Sequence, residues 1–538
     1  MWFFSSRKAR RIPTKPSYRP TFRPRVRALE DRCLMSAGTL DPTFNPAGVP
    51  AAVPPTPAGT AAVVTKESSF PYSALVQPSG KIVLVGTALS FNGGSGSQMR
   101  LSEFDPNGTL DPNFGSHGIV TNTKWSLPYS SQGCVAVLYP TGGSGDQQIL
   151  VAGPSTSGTF TLARYNADGS LDTSFGKNGT VNTSFTQGVG SVGGVLDGVA
   201  LVPNGSSPPK IVMAGSDANN AGVEMARYSP NGTLDTSFGS GGKLYTPIPG
   251  GIQVDALALN PVSGDLLVGG SKLVAFQSNG TLDTAFGTNG VVNSGAVALA
   301  IYPAGDPGGN AGKILASGGG VARYTMTGTL DTSWGGTGQV TGVGGGVIGG
   351  AALAIQSDDK VLVGNGAQWN VTRLNAGGSL DMSFGSGGIA GAGFRNGGGL
   401  VFEDNAVVVE PNGDIIEASN AFVLDSSYHG DSALARFLPS QPQISSFTAN
   451  QAMAGGPVTL AASNISDGNP NSTISQVSFY YYDSSGNKIV VGTVTAPDGS
   501  GNWTLNVSLP AGSYTLYAQA TDSYGVFGDP LAYIFTVQ

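Results

Sequence analysis

The 538-residue sequence is poor in the groups from which enzymes, metal proteins and membrane proteins are built. Its two cysteines, Cys33 and Cys134, cannot make a disulfide framework, and neither has a metal-ligand neighbour at zinc-site spacing. Of its two histidines, His117 sits beside Gly118 and His429 follows Tyr428; no nucleophile elbow, zinc helix or phosphate loop surrounds either. No catalytic residue is nominated. No stretch approaches the ~18 apolar residues of a transmembrane helix, and Met1-Trp2-Phe3-Phe4 is too short for the apolar part of an ordinary signal peptide. Apolar residues nowhere keep the spacing of three and four that marks a helix, so helix content is expected to be low. Charged residues are only 11% of the chain.

The net charge of −7 hides two opposite parts. Residues 1–36 hold ten Lys or Arg against Glu30 and Asp31, which leaves 17 basic and 32 acidic residues in the remainder, a charge of −15. An acidic body argues against nucleic acid and anionic membrane as partners, because both need a basic face. The basic, proline-containing leader reads as an address. Its run from Arg27 through Leu29-Glu30-Asp31-Arg32 to Leu34-Met35-Ser36 resembles the Leu-Glu-x-Arg-x-Leu-Leu-Ser motif near the N-termini of exported proteins of planctomycete-type bacteria, with Met35 where Leu is usual. The resemblance implies an extracellular or cell-surface location.

What the chain does have is glycine and a repeat. Its 82 glycines and 34 prolines make about 22% of the residues, below the low-complexity range and in keeping with short strands joined by tight turns. One phrase, Gly-Thr/Ser-Leu-Asp-x-x-Phe/Trp-x-x-x-Gly, occurs seven times, with its aspartates at Asp41, Asp111, Asp172, Asp235, Asp283, Asp331 and Asp381. The first copy runs from Gly38 to Gly48. Leucine-to-leucine intervals of 70, 61, 63, 48, 48 and 50 describe a repeat with elastic loops.

Ahead of each complete copy lie a short apolar stretch, a turn such as Gln77-Pro78-Ser79-Gly80, and a β-branched run such as Lys81-Ile82-Val83-Leu84-Val85-Gly86. A tetrad like Leu162-Ala163-Arg164-Tyr165 follows, ending six residues before the signature leucine. That invariant spacing predicts a tight hairpin pairing the tetrad with the signature as third and fourth strands. Runs as apolar as the second piece belong to strands covered on both faces. Four antiparallel strands per unit, seven times over, predict an all-β fold whose main part is a seven-bladed β-propeller; the coils of a parallel β-helix are shorter and need no two fixed hairpins. The signature, with the upstream Pro-x-Gly-Lys-Ile, resembles the delta-60 repeat family of bacterial surface proteins over about residues 38–438, with Asn45 and Trp334 as departures. That resemblance implies a propeller in an extracellular setting and no established reaction.

The chain ends complement each other. The first signature has no strands before it, and the last tetrad, Leu434-Ala435-Arg436-Phe437, has no signature after it. A bare sheet edge is a liability, so the propeller is expected to close one-plus-three, with 38–48 as the outer strand of the blade built from about 400–437 and Asp41 near Arg436.

The signature aspartates alternate with other oxygen donors, which makes calcium a possible ligand, but the glycine position and the missing acid at position twelve disagree with an EF-hand loop. Their expected work is structural: capping a turn through local hydrogen bonds and pairing with the tetrad arginines Arg164, Arg227, Arg323, Arg373 and Arg436, each fork meeting a carboxylate bidentately. Glu103 and Ala275 replace the arginine in two units. In the seventh unit Glu403, Asp404, Glu410, Asp414, Glu417, Asp425, His429 and Asp431 crowd together. Alternation along a strand would spread them over both faces, so a solvated edge is expected there; the sharper reading takes Glu403 and Asp404 as an acidic pair for glycoside hydrolysis or calcium.

After Pro442 the signature stops. Seven short strands, near 443–449, 457–462, 474–482, 488–495, 502–509, 513–521 and 531–537, predict an immunoglobulin-like sandwich. Gly512 to Asp522 resembles the late strand of bacterial Ig-like domains, with Tyr514 as a tyrosine corner and Leu516 where antibody domains carry Cys. The expected organisation is a basic leader over 1–37, disordered or processed, a propeller over 38–440 and a sandwich over 441–538. The functional expectation is a non-catalytic surface scaffold for adhesion or interaction with a protein or glycan ligand; the alternative is a carbohydrate-active enzyme using acids of the seventh blade.

Overall fold

The computed structural model describes residues 37–48, 58–63, 68–89, 97–127, 134–143, 145–155, 159–185, 195–342, 352–365, 369–392, 406–422, 430–440, 442–467, 473–483, 488–523, 528 and 530–538. Cys33, Glu403, Asp404, Asp425 and His429 lie outside them. Every regular element among them is a strand, and no helix there is long and apolar enough to cross a membrane.

The repeat region forms seven four-stranded antiparallel sheets. Unit 1 consists of Ser68–Val76, Ile82–Leu89, Ser97–Phe104 and Ile119–Leu127, each strand paired with the next. Units 2 to 6 repeat the order over 135–183, 195–247, 254–292, 298–340 and 353–391. Unit 7 takes Ala406–Val409, Ile415–Phe422 and Gly430–Phe437, and its fourth strand is Thr60–Ala62 from the start of the chain.

Two expectations need correction. The signature is not the fourth strand: its leucine makes a single bridge to the end of the third strand, as Leu110 does to Phe104 and Leu171 to Tyr165, and the fourth strand begins only after the signature's last glycine. Thr180–Thr183 thus follows Gly179. The reason is steric. Gly179 has φ +89°, and a Cβ there would stand 2.3 Å from the Leu171 side chain, so the chain doubles back over the leucine before it extends. In the first copy the residue that does this is Gly59 rather than Gly48: its φ is +91°, its added Cβ would stand 2.6 Å from Leu40, and its N–H donates to the Phe44 carbonyl at 2.7 Å, as Gly179 donates to Phe175 at 2.8 Å. The pairing to unit 7 therefore falls on Leu40, bridged to Phe437, and on 60–62, not on a strand over 38–48.

Buried apolar clusters lie between consecutive sheets. Val83, Val85 and Leu101 of unit 1 pack with Ile149, Val151 and Ala163 of unit 2; Phe44, Ala61 and Leu434 of unit 7 pack with Ala74, Ile82 and Phe104 of unit 1. The second strands are buried on both faces because both faces meet a neighbouring sheet.

The C-terminal strands fall at the positions expected, with shifted ends. Gln443–Gln451, Val458–Ser466 and Trp503–Val507 make a three-stranded sheet; Lys488–Val494, Ile474–Tyr482, Gly512–Asp522 and Leu531–Val537 make a four-stranded one. Phe447, Leu460, Phe479, Trp503 and Leu516 share their core. Tyr514 donates its hydroxyl to the Pro510 carbonyl at 2.9 Å, the local tie a tyrosine corner makes.

Candidate functional site

Each signature aspartate divides its oxygens between two tasks. In unit 2, Asp172 Oδ1 accepts the Ser174 N–H at 3.0 Å and its hydroxyl at 2.6 Å, which caps the turn. Asp172 Oδ2 accepts Arg164 Nε at 2.8 Å, with Nη2 at 2.7 Å, and Gln148 Nε2 at 3.0 Å. The fork therefore clasps one oxygen, not both as expected, because the turn has taken the other. Asp235, Asp331 and Asp381 accept from Arg227, Arg323 and Arg373 in the same way at 2.8–2.9 Å. Lysines that open the second strands join them: Lys210 on Asp235 at 2.7 Å, Lys313 on Asp331 at 2.9 Å and Lys360 near Asp381 at 3.7 Å. Each of these lysines stands immediately before the apolar run of its second strand, and that shared position could have nominated them. Burial works against ionisation of Asp172 and Asp235, yet the Ser174 and Arg164 donors, and for Asp235 the Lys210 and Ser237 donors, hold both below the usual carboxylate range.

The same arginines reach the following unit. Arg164 Nη1 donates to Pro230 O at 2.7 Å, Arg227 Nη1 to Ser278 O at 2.6 Å and Arg436 Nη1 to Pro106 O at 2.7 Å, while Arg373 donates to Pro439 O. Each also lies over its own signature ring; Arg373 is 4.3 Å from the Phe384 centroid and Arg436 4.5 Å from that of Phe44. The ring in turn faces the first glycine of the next signature: a Cβ on Gly169 would meet Phe114, on Gly232 Phe175, on Gly108 Phe44 and on Gly38 Phe384, all within about 3 Å. Arginine, aromatic ring and glycine thus form one tie between neighbouring units.

Two units depart from this set. In unit 1, Glu103 replaces arginine and Lys81 bridges Glu103 at 3.2 Å and Asp111 at 2.5 Å; burial, opposed by Lys81, moves Glu103 up to about 7. In unit 4, Ala275 and Asp265 stand where arginine and lysine would, and Asp283 has no paired cation among the described residues, its Oδ1 accepting the Ala285 N–H at 3.1 Å.

Unit 7 adds rather than removes acid. Arg436 clasps Asp41 Oδ2 through Nε at 2.8 Å and Nη2 at 2.6 Å, joining residues 395 apart in the chain. Asp414 replaces the lysine and lies 3.9 Å from Arg436 Nε, and Glu410 Oε2 lies 3.6 Å from Nη1, so three carboxylates surround one guanidinium. Burial raises Glu410 to about 7 and Asp414 to about 6; Arg436 opposes the shift, and Asp41 adds to it. Glu417 is fully buried in the second strand with neither oxygen hydrogen-bonded, and burial holds it well above the carboxylate range. At its position in the strand, three after the lysine or its replacement, the other units carry Leu84, Val151, Met213, Val268, Ala316 and Val363. Glu410, Asp414, Glu417 and Asp431 are all buried, which corrects the expected solvated edge for these four: Glu410 and Asp414 sit in the turn against Arg436, while Glu417 and Asp431 lie in second and third strands that have a sheet against each face, so alternation hides an acid whichever way it points.

Of the remaining candidates, His117 is an exposed turn residue with φ 54°, the conformation of Asn178 and Asn289 in other copies. Cys134 is fully buried, and burial pushes its thiol up, away from reactivity. No group of three or more His, Cys, Asp or Glu among the described residues is arranged to hold a metal ion.

Four stretches, 77–114, 145–175, 210–238 and 356–384, match the family model of a β-propeller domain of unknown function, DUF5122, and each carries a second strand or its turn through to the signature aromatic. The repeats and their four-stranded sheets have β-propeller character. Among solved structures, a streptogramin B lyase and a virginiamycin B lyase from Staphylococcus aureus are similar in outline, each at 10% identity and a TM-score of 0.41; they cover 70% of this chain and 96% and 98% of their own. No curated protein matches the sequence.

Proposed function

We propose that the chain is a non-catalytic scaffold of the cell surface or extracellular space, a seven-bladed propeller closed one-plus-three by its N-terminal strand, followed by an Ig-like sandwich, serving adhesion or interaction. The observation that carries this reading is the use of the repeated charged residues. In five of seven units the signature aspartate is consumed by its own turn and by an arginine that ties one unit to the next. Such residues position a fold. The pairing of Thr60–Ala62 with the sheet at 406–437 supports the closure, and two packed sheets over 443–537 support the sandwich. The export-type motif at 27–36 supports the location, and the delta-60 resemblance the bacterial surface setting.

A carbohydrate-active enzyme would draw on Glu403 and Asp404, outside the described residues. Glu410 and Asp414, which lie within them, are buried against Arg436. The deciding measurement is reducing-sugar release by the full chain from a panel of polysaccharides. No release is expected; release that Glu403→Gln or Asp404→Asn abolishes would overturn the scaffold reading.

A further inference from the structure

One end of the four-stranded C-terminal sheet carries a concavity of about 590 Å³ that the repeat does not explain. It is lined by Tyr481, Tyr482, Tyr514 and Tyr517 together with Asp483 and Thr515. The tyrosines form two pairs at the ends of neighbouring strands, Tyr481 with Tyr514 on the face that packs on the core shared by the two sheets and Tyr482 with Tyr517 on the opposite face. Tyr481 meets Tyr514 edge to face with centroids 5.0 Å apart, and Tyr482 meets Tyr517 edge to face at 5.5 Å, both pairs at 79°. Tyr482 is 51% exposed although its neighbour Tyr480 is buried, so a large ring is held in water at the rim. Tyr517 is fixed from behind by stacking on Tyr480 at 5.2 Å and 12°. The rings are thus pre-positioned before any ligand arrives, which lowers the ordering cost of binding.

We propose that this concavity binds a neutral oligosaccharide. Its volume lies within the range of small-ligand sites, ~300–1,000 Å³. Aromatic faces carry a negative quadrupole, which suits the weakly positive C–H face of a pyranose ring. The hydroxyls of Tyr482, Tyr517 and Thr515, which share one face of the sheet, can both donate and accept, matching the mixed hydroxyl edge of a sugar. A cationic ligand fits less well, because Lys488 Nζ already sits 3.7 Å over the Tyr480 ring that backs Tyr517 and brings its own positive charge into the cluster. The proposal rests on the scaffold reading in one respect: binding here attaches the protein without cleaving what it holds.

The test uses the full chain in native gels containing laminarin, xyloglucan, galactomannan or pullulan, with alginate as an anionic comparison. Retardation by at least one neutral polysaccharide is expected, with affinity falling at least tenfold in Tyr482→Ala and in Thr515→Arg, a side chain that would fill the concavity, while the melting temperature of both variants stays that of the parent. The proposal is overturned if no neutral polysaccharide retards the chain, if both variants bind as the parent does, or if tetramethylammonium or a proline-rich peptide strips the complex at concentrations that leave an unrelated sugar-binding protein bound. Retention that survives both substitutions leaves the scaffold reading standing and removes the pocket. Retention lost with Tyr482 but accompanied by reducing-sugar release supports the pocket and removes the scaffold reading.

Discussion

Units 2 and 7 hold the same parts at the same places but assemble them from different distances along the chain. In unit 2 the arginine and its aspartate are 8 residues apart; in unit 7 they are 395 apart. A local pair forms with the hairpin that carries it, whereas the distant pair requires the whole intervening chain to fold first, because closing a long loop costs entropy before any contact repays it. Unit 7 also carries the surplus acid. Three carboxylates around Arg436 and the unpaired Glu417 make it the electrostatically least settled junction, although its backbone bonds match those of unit 2. Same geometry, then, does not mean same stability.

The most severe way to break the comparison is to remove the distant piece. A chain lacking residues 1–63 loses Asp41, Phe44 and the fourth strand of unit 7, and bares the edge of the third strand, Gly430–Phe437; its melting temperature is expected to fall by about 10 °C or more in calorimetry. An unchanged transition would mean that the N-terminal segment does not secure unit 7.

Next in size is the arginine itself. Arg436→Met leaves Asp41, Glu410 and Asp414 buried without a cation, and a loss of roughly 3–5 kcal/mol in denaturant unfolding is expected. Arg164→Met leaves Asp172 with its Ser174 and Gln148 donors, and about 1–3 kcal/mol is expected. Equal losses in the two variants would remove the distinction between the units.

The two units should also respond to pH in opposite directions. Folding raises Glu410 from 4.5 to about 7 and Asp414 from 3.8 to about 6, so between those limits the folded state holds protons that the unfolded state has released. Their contribution is complete below about pH 4 and is lost as pH rises towards 7. Folding lowers Asp172 and Asp235 from 3.8, so their contribution is present above that value and lost on acidification. Melting temperature is therefore expected to decline from about pH 5 to pH 8, and Glu410→Gln to flatten the decline. A profile that Glu410→Gln leaves unaltered would show that this carboxyl is not the source.

The smallest effect is expected from chelator. Apart from Asp283, the described signature aspartates spend their oxygens on turn and side-chain donors, so removing calcium should move the melting temperature by less than about 2 °C; a fall beyond about 10 °C would place a bound ion in the fold.

These contrasts also mark what the sequence alone made legible. The repeat, its turns and the arginine–aspartate pairs could be read because each rests on residues whose chemistry is local and whose spacing is constant, as between Tyr165 and Leu171. The fourth strand could not, because after Gly179 the chain Thr180–Thr183 is short, half exposed and without a pattern of its own; it is a strand because a third strand offers it an edge. The acids of unit 7 were misread for a related reason. Alternation tells which face a residue takes, not whether a second sheet covers that face, and here Glu417 lies beneath one. The tyrosine concavity joins positions 481–483 with 512–517, neighbours only through the pairing of two strands.

The glycine substitution in the first signature has a practical side. Between Phe175 and Gly179 the chain needs four steps to make its hydrogen bond; between Phe44 and Gly59 it takes fifteen and makes the same one, at 2.7 against 2.8 Å. What recurs is the contact, and the number of residues spanning it is free. Residues added between Gly48 and Gly59 should therefore leave the Gly59 N–H on the Phe44 carbonyl, and the melting temperature with it.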